Sequence, residues 1–304
     1  MKLWSAFNKL FYWPLCRTYV RHVIGDRPAD PILRCLCIPQ FWMVHRYWPN
    51  FMHPRSFSEK LWSRMLHDRD PILTLISDKF RVRDYVAKKV GSEYLIPLLW
   101  NGDSPEEIPF DELPLKFVIK TNHGCGYNII VKDKNRLDKS RTRLIVKKWL
   151  NEKFGQDHYT GTGWAYNNIR PTIIIESFIG ENDKPPVDYK FYCFSGRVEI
   201  LTVHIDRFEE HKTMAFNRNF ERYTFRSSFK QYNGEYQRPP KFKEMVQLAE
   251  SLSERFDFIR VDLYNSENKI YFGEFTPYPA GVSSFLGFDI SSIDFVLGDK
   301  WKSK

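Results

Sequence analysis

Cysteine is scarce in this chain and is not arranged for structural chemistry. The five cysteines form neither a Cys-x-x-Cys pair nor a spaced His/Cys zinc set, and their odd number argues against a secreted disulfide framework. Cys125 lies in a glycine-bearing segment but lacks the local signature of a nucleophilic cysteine. No run of about 18 apolar residues occurs, so no membrane span is expected. These absences favour a cytoplasmic protein.

Acidic residues are in the minority. The 304 residues include 46 Lys and Arg against 37 Asp and Glu, a net charge of +9, and the basic residues are scattered along the chain. Such a balance suits an anionic partner: a nucleotide, an acidic lipid, an anionic sugar or nucleic acid. The length allows two or three modest domains with a substantial core.

The first 24 residues mix aromatic side chains with four basic ones, Lys2, Lys9, Arg17 and Arg21. Lys9 interrupts the apolar stretch and no small-residue cleavage site follows, so we expect no signal peptide. Two interpretations stay open for residues 1–24: peripheral contact with an anionic membrane face, or a packing arm on the main body. We assign residues 1–55 to an aromatic and basic N-terminal extension.

The stretch FVIKTNHGCGYNIIV, residues 117–131, predicts two short strands joined by a glycine-bearing loop. Gly124 and Gly126 allow close approach of the backbone, so that N–H groups could face phosphate oxygens. Lys120 adds a mobile positive charge. The pattern predicts a phosphate-binding hairpin, although a glycine hairpin beside a lysine also occurs without function.

A second group of polar residues lies in RVDLY (260–264) and YFGEFTP (271–277). Asp262 on one predicted strand, and Glu274 and Thr276 on the next, could reach one Mg²⁺, which takes one or two carboxylates plus phosphate oxygens. Arg260 could neutralise these acids or bind a phosphate. The alternative is a hairpin with two surface acids.

Further polar positions interrupt predicted strands and helices. Asp188 and Lys190 share a face of one strand by the period of two. Glu176 follows three isoleucines, where burial requires a partner or a place at the strand's end. Asp78-Lys79 could be a functional charge pair, but an exposed, salt-bridged helix face is expected. A basic helix after the hairpin is expected to bury one face, formed by Leu144, Ile145, Trp149 and Leu150.

The order of these motifs resembles the ATP-grasp superfamily. Segments such as RSFSEKLW, SDKFRVRDYV, DYKFYCFSG and RVDLYNSENKIYFGEFTPYPAG resemble the TupA-like branch, the ATP-grasp proteins of bacterial surface-polysaccharide clusters, from about residue 50 to the C-terminus. The resemblance implies an α+β fold in which two subdomains clamp Mg-ATP between antiparallel sheets. The expected division is a helix and strand region at 56–115, a lid subdomain at 116–178 and a C-terminal subdomain with the metal site at 179–304.

The same resemblance implies roles for individual residues. Lys120 would bind the ATP phosphates under the loop that contains His123, Gly124 and Gly126. The segment with Glu176, Phe178 and Ile179 would be a hinge whose backbone contacts adenine. Asp188 would face phosphate and substrate, and Lys190 and Arg260 would be catalytic. The metal ligands would be Asp262, Glu274 and Thr276.

The implied activity is ATP-dependent joining of a carboxylate to an amine through an acyl phosphate. The substrate would be a nucleotide- or lipid-linked glycan precursor, at the inner face of the bacterial membrane. A glycosyltransferase is one rival, but no Asp-x-Asp motif lies near the hairpins; a sugar kinase is another. A basic protein that binds nucleic acid would not explain acids embedded in strands at 262 and 274, so we expect no nucleic-acid partner.

Overall fold

The computed structural model describes residues 38–39, 41–42, 45–152, 164–206, 210–223, 230–279 and 293–302. The predicted membrane contact of residues 1–24 therefore lies outside the described residues, as does most of the 1–55 extension. Within the described ranges, every helix is too short or too polar to cross a bilayer.

Between Ser56 and the first strand, the described chain forms three short α-helices: α1 is Phe57–His67, α2 is Pro71–Ser77 and α3 is Val82–Val90. Ser56 and Glu59 start α1 with a capping box, in which each side chain accepts a hydrogen bond from the other residue's amide. Helices α1–α3 form a helical block within the region 56–115 for which helices and strands were expected.

The smaller sheet has four antiparallel strands in the order β1-β4-β2-β3. These strands are β1 Leu98–Gly102, β2 Phe117–Thr121, β3 Asn128–Val131 and β4 Ile173–Ser177. The hairpin predicted within residues 117–131 is therefore confirmed as β2 and β3. Strand β4 lies inside the sheet, which explains its run of buried isoleucines.

Helix α4, Lys139–Asn151, packs beside the smaller sheet, and its predicted buried face is confirmed at Trp149 and Leu150 but not at Leu144. Thr142 and Val146 are buried, whereas Leu144 is 69% exposed, so the expectation for Leu144 was wrong. Residues 142, 146, 149 and 150 stand one to two turns apart and form the packed stripe. Leu144 points away because it lies about half a turn from Val146.

The larger sheet has seven strands, with β11-β10-β5-β6-β7-β8 in order and β9 paired to β7. Its strands are β5 Val187–Phe194, β6 Arg197–Ile205, β7 Lys212–Phe216, β8 Arg222–Tyr223, β9 Lys230–Gln231, β10 Phe258–Ser266 and β11 Lys269–Thr276. Two-residue turns join β5 to β6 and β10 to β11. Their residues all have positive φ, with 47° and 79° at Ser195 and Gly196 and 50° and 57° at Glu267 and Asn268.

Three further helices complete the described chain: α5 Trp164–Asn167, α6 Phe242–Ser253 and α7 Ile293–Lys300. The apolar stripe of α6 packs on β5, β6 and β10, and α7 packs on α1. Asp294 of α7 accepts hydrogen bonds from the amide and hydroxyl of Ser58, at 2.8 and 2.9 Å. The chain is therefore an α+β protein with mixed helices and antiparallel sheets, as predicted.

Residues 178–186 connect β4 to β5 and so join the two sheets. Within this connection, the Glu181 carboxylate accepts hydrogen bonds from the Ser266 hydroxyl and the Glu267 amide of the larger sheet. Asp183 forms an ion pair with Lys116, next to β2 of the smaller sheet. The connection is thus held to both sheets, and a cavity opens beside it.

Candidate functional site

Side chains of opposite charge meet on one face of the larger sheet. The strand register places Asp262 of β10 opposite Lys190 of β5 on one side and opposite Glu274 of β11 on the other. Asp188 lies on the same face as Lys190, as the period of two predicts. Three neighbouring strands therefore deliver these four side chains to one place.

Arg260 is the main partner of the acids. Its Nε lies 2.6 Å from Asp262 Oδ1 and its Nη2 lies 2.7 Å from Asp262 Oδ2, a bidentate pairing. The same Nη2 donates to Thr276 Oγ1 at 2.8 Å and to Glu274 Oε1 at 3.3 Å. Of the two roles considered for Arg260, the structure shows the one in which it neutralises the acids.

Lys190 is the second cation of this cluster. Its Nζ lies 2.5 Å from Asp262 Oδ2 and 2.6 Å from Asp188 Oδ2, and all three side chains are buried. Burial of charge is tolerated here because each ion has a hydrogen-bonded counterion. Burial by itself lowers the pKa of Arg260, but Asp262 and its neighbours raise it well above the usual value, so Arg260 is a fixed cation.

Lys79 was expected on an exposed helix face, and this expectation was wrong. Asp78 is buried in the turn between α2 and α3, where its carboxylate accepts from the amides of Phe80 and Arg81. The turn directs Lys79 inward. Its Nζ donates to the Gly124 carbonyl at 2.6 Å and lies 3.8 Å from Glu274 Oε2.

Lys79 therefore connects the glycine loop to the acids of the larger sheet. The electrostatic consequence is visible at Glu274: burial raises the pKa of this carboxyl, but Lys79, Arg260 and Lys190 more than offset the increase, and the net shift is downward. Glu274 is thus held ionised at neutral pH.

Lys120 and Glu176 meet in the smaller sheet. Lys120 Nζ lies 2.8 Å from Glu176 Oε2, and Arg83 Nη1 of α3 lies 2.9 Å from Glu176 Oε1. Glu176 is buried between these two cations, so the predicted requirement for a partner is met. Because Lys120 also lines the cavity, its ammonium group stands between a buried carboxylate and open space.

The glycine loop between β2 and β3 packs on α4. His123 is buried, and its Nε2 lies 3.1 Å from the Glu152 carbonyl. Burial lowers the pKa of His123, which favours the neutral form of the ring. A Cβ added at Gly124 would lie 1.9 Å from the Tyr127 ring, whereas one at Gly126, where φ is +77°, would meet no atom within 4 Å. Gly124 is therefore packed, and Gly126 borders open space.

A cavity of about 610 Å³ lies between the two sheets and the connection 178–186. Lys120, Phe178, Ile179 and Asp188, all predicted site residues, line it. Its size falls within the range of small-molecule sites, and its wall combines apolar residues with a few charged ones. His123, Gly124, Gly126 and Glu176 are not among its lining residues.

The oxygens of Asp262, Glu274 and Thr276 fit the chemistry of a magnesium site. Mg²⁺ prefers one or two carboxylates together with water and phosphate oxygens, and two carboxylates and a hydroxyl gather here. The described residues contain no group of three His, Cys, Asp or Glu side chains that would hold a metal without help from a ligand. Asp262, Glu274 and Thr276 could therefore supply part of the coordination of a magnesium ion.

Sequence reasoning missed several residues around the site. Arg83, His204 and Asp206 were not predicted, although Arg83 holds Glu176 and the other two line the cavity. The short turn at Ser195-Gly196 indicates that β5 pairs with β6, but a register shift between Tyr192 and Cys193 places His204, rather than Val203, opposite Asp188. Arg83 gave no such signal, since it reaches Glu176 from a separate helix.

Comparison with solved structures found distant matches. D-alanine–D-alanine ligase from Bacillus anthracis is 17% identical over 76% of this chain and 67% of its own, with a TM-score of 0.44. The same enzyme from Helicobacter pylori is 14% identical over 75% and 62%, with a TM-score of 0.39. N5-carboxyaminoimidazole ribonucleotide synthetase from Thermus thermophilus is 14% identical over 72% and 50%, with a TM-score of 0.40. The chain thus spans half to two thirds of these structures.

A search of curated protein sequences found no significant match. The family comparison is decisive: the family described as TupA-like ATP-grasp matches residues 59–302, which contain both sheets and every predicted site residue. The resemblance seen in the ordered motifs is confirmed by this match, and the chain belongs to the TupA-like ATP-grasp family.

Proposed function

We propose that this protein is an Mg-ATP-dependent ligase that joins a carboxylate to an amine. Family membership supports nucleotide chemistry, but the single observation that carries the proposal is the geometry between the sheets. Lys120 and Asp188 line a cavity large enough for a nucleotide, and Asp188 shares Lys190 with Asp262 of the acid cluster. A bound triphosphate could therefore extend from the cavity to the carboxylates.

In this proposal the nucleotide's base occupies the apolar part of the cavity. Phe178 and Ile179 line the cavity at the connection between the sheets, where their backbone groups could contact adenine. Lys120 and Lys79 approach the phosphates from the smaller sheet and from the helical block. Both lysines already pair with carboxylates, so phosphate would replace one anionic partner with another.

Asp262, Glu274 and Thr276 are the proposed magnesium ligands, and the metal, when bound, supplies positive charge to the phosphate oxygens. Arg260 and Lys190 now occupy these oxygens. Binding would require these cations to turn toward the phosphates or the carboxylate substrate. Arg260 suits a carboxylate because its planar guanidinium offers two parallel donors.

The proposed reaction has two steps. An oxygen of the carboxylate substrate attacks the γ-phosphorus, the bond from that phosphorus to the β,γ-bridging oxygen breaks, and ADP leaves with the electron pair. The amine nitrogen then attacks the acyl carbon, the bond to phosphate breaks, and phosphate and a proton are released. Lys190 and Arg260 would steer the carboxylate and balance the developing charge, while the glycine loop would exclude water.

We further propose that the substrate is a precursor of a cell-surface polysaccharide, carried on a nucleotide or a lipid. The resemblance of this chain to the TupA-like proteins of bacterial surface-polysaccharide clusters supports this part of the proposal. The basic composition also suits an anionic glycan.

Hydroxylamine trapping tests the reaction class. Sugar acids and amino acids are screened with Mg-ATP and hydroxylamine, and ADP and hydroxamate are quantified together. The proposal predicts equal amounts of both products with one class of acid, and loss of both in Lys190→Met. Lys139→Met, which changes an exposed lysine paired with Asp111, is the matched control. A stable phosphorylated sugar without hydroxamate would indicate a kinase, and turnover of nucleotide sugars without ADP from ATP would indicate a glycosyltransferase.

A further inference from the structure

Arg83 approaches the cavity from outside both sheets. It lies on helix α3, shortly after the turn that directs Lys79 toward the glycine loop. Its Nη1 donates to Glu176 Oε1 at 2.9 Å, and its Nη2 donates to the Ile96 carbonyl at 2.9 Å. These two bonds hold the planar guanidinium in one orientation. Because Ile96 lines the cavity, Arg83 connects the helical block to the cavity wall.

Glu176 joins Arg83 to Lys120. The register of β2 and β4 places Glu176 opposite Val118, so its side chain lies on the same face of the smaller sheet as Val118 and Lys120. Each oxygen of this carboxylate has a cation beside it, with Arg83 2.9 Å from Oε1 and Lys120 2.8 Å from Oε2. Two cations share one carboxylate, so the group of three side chains is positively charged.

The charge of this group matters because acids and bases nearly balance along the cavity wall. The lining residues include three carboxylates and two lysines, which are those of Glu181, Asp188, Asp206, Lys120 and Lys184. Each additional positive charge therefore changes the affinity of the wall for phosphate. Lys120 is the member of the group that can present this charge to a ligand, since its side chain is 22% exposed against 8% for Glu176.

We propose that Arg83 is a positioning residue for phosphate binding by Lys120. This inference rests on the proposed nucleotide site. Arg83 occupies one oxygen of Glu176, so Lys120 is bound at the other oxygen and its ammonium group keeps donors for phosphate. Without Arg83, Lys120 and Glu176 would form a pair with no net charge. Arg83 is not among the residues that line the cavity, so it acts on a ligand through Glu176 and Lys120.

Calorimetric titration with Mg-ATP tests this role. Arg83→Gln should weaken binding by roughly fivefold or more, because a positive charge close to Lys120 is lost. Arg83→Lys keeps the charge and should bind more tightly than Arg83→Gln. Adding Glu176→Gln to Arg83→Gln should restore most of the lost affinity, since Lys120 then has no carboxylate to neutralise it. A residue that acted only through packing would not be rescued in this way.

Glu176→Gln alone gives a measurement that does not depend on the folding of Arg83→Gln. It should bind Mg-ATP at least as tightly as the parent does, because the charge of Lys120 and Arg83 is then uncompensated. Arg218→Gln is the matched control, since it breaks an arginine–glutamate pair with Glu250 outside the cavity, and it should bind as the parent does. Circular dichroism should show all variants folded.

The outcomes separate this role from the nucleotide site itself. Absence of Mg-ATP binding by the parent would overturn the site and this inference together. Binding by the parent that Arg83→Gln fully retains, or that Glu176→Gln does not restore in the double variant, would overturn the role of Arg83 alone. Weaker binding by Glu176→Gln than by the parent would also overturn that role.

Discussion

At the scale of single residues, Asp262 holds the polar cluster together. It is 1% exposed, and its two oxygens accept from Arg260 and Lys190. Removing one member of a buried ion pair costs more than the pair itself contributes, because the partners remain buried without compensation. Asp262 is therefore expected to matter for folding as well as for the proposed metal site.

The substitution Asp262→Asn should lower the free energy of unfolding by about 3–5 kcal/mol, since two buried cations lose a counterion. Adding Lys190→Met should restore part of that loss, because one uncompensated cation is then removed as well. Urea unfolding of the single and double variants measures both effects. Asp111→Asn, at an exposed pair with Lys139, is the control and should change little. Additive losses in the double variant would contradict this account.

His45 makes a separate prediction about pH. Burial lowers its pKa from 6.5 to about 4, and its ring packs on Phe41 at 4.2 Å. The unfolded chain binds a proton on this ring near pH 6.5, whereas the folded chain resists it. The stability contributed by the neutral His45 ring is therefore fully present above about pH 6.5 and is lost as the pH falls toward 4. This loss lowers the free energy of unfolding by about 3 kcal/mol.

The variant His45→Phe should remove this part of the pH dependence. Urea unfolding of parent and variant at about pH 7 and pH 4 isolates the effect, because carboxylate titration is common to both proteins. His53→Phe, at an exposed position of the same segment, is the control. An unchanged difference in stability between the two pH values would show that His45 is protonated in the folded protein.

At the scale of elements, the hairpins were the most predictable parts. The β2–β3 and β10–β11 pairs follow from apolar runs around short polar turns, and polar residues within those strands marked Lys120, Asp262 and Glu274. The position of Lys79 could not be predicted in this way. Its inward direction depends on how Asp78 caps the turn after α2, and an isolated helical pattern does not reveal that packing.

The prediction that Leu144 lies on the buried face of α4 was wrong for a related reason. Apolar residues occur on several sides of this basic helix, so periodicity alone did not select Val146 over Leu144. The choice was made by the smaller sheet, against which Thr142 and Val146 fit. Tertiary packing thus decided what local pattern left open.

The two loop glycines should differ when substituted. In Gly124→Ala the new Cβ would overlap the Tyr127 ring, which stacks on Trp149 at 5.5 Å, so the loop must shift. In Gly126→Ala only the positive φ is strained, at a cost of about 1–2 kcal/mol. We expect Gly124→Ala to weaken Mg-ATP binding by roughly tenfold or more, equivalent to about 1.4 kcal/mol.

Gly126→Asn provides the control for the second glycine, because Asn tolerates positive φ better than Ala does. It should bind Mg-ATP more tightly than Gly126→Ala. Calorimetric titration of Gly124→Ala, Gly126→Ala and Gly126→Asn with Mg-ATP measures the order of their affinities. Equal affinities for all three would mean that the loop does not contact the nucleotide.

At the scale of the whole molecule, the cavity belongs to both sheets at once. Lys120 comes from the smaller sheet, Asp188 from the larger sheet, and the connection 178–186 closes one side. A ligand bound there would contact both sheets. At a concentration a hundred times its dissociation constant, it would add roughly 2.7 kcal/mol to the free energy of unfolding. Thermal melts with Mg-ATP, Mg-GTP and a nucleotide sugar should show the largest stabilisation with Mg-ATP.

Calorimetric titration of Mg-ATP tests most directly the claim that the space between the sheets is a nucleotide site. The parent protein should bind one equivalent, and Lys120→Met should weaken binding by roughly tenfold or more, because a charge-assisted contact to phosphate is worth about 1.5–3 kcal/mol. Lys139→Met, at an exposed lysine outside the cavity, should bind as the parent does. Absence of binding by the parent, or equal affinity in Lys120→Met, would contradict the account.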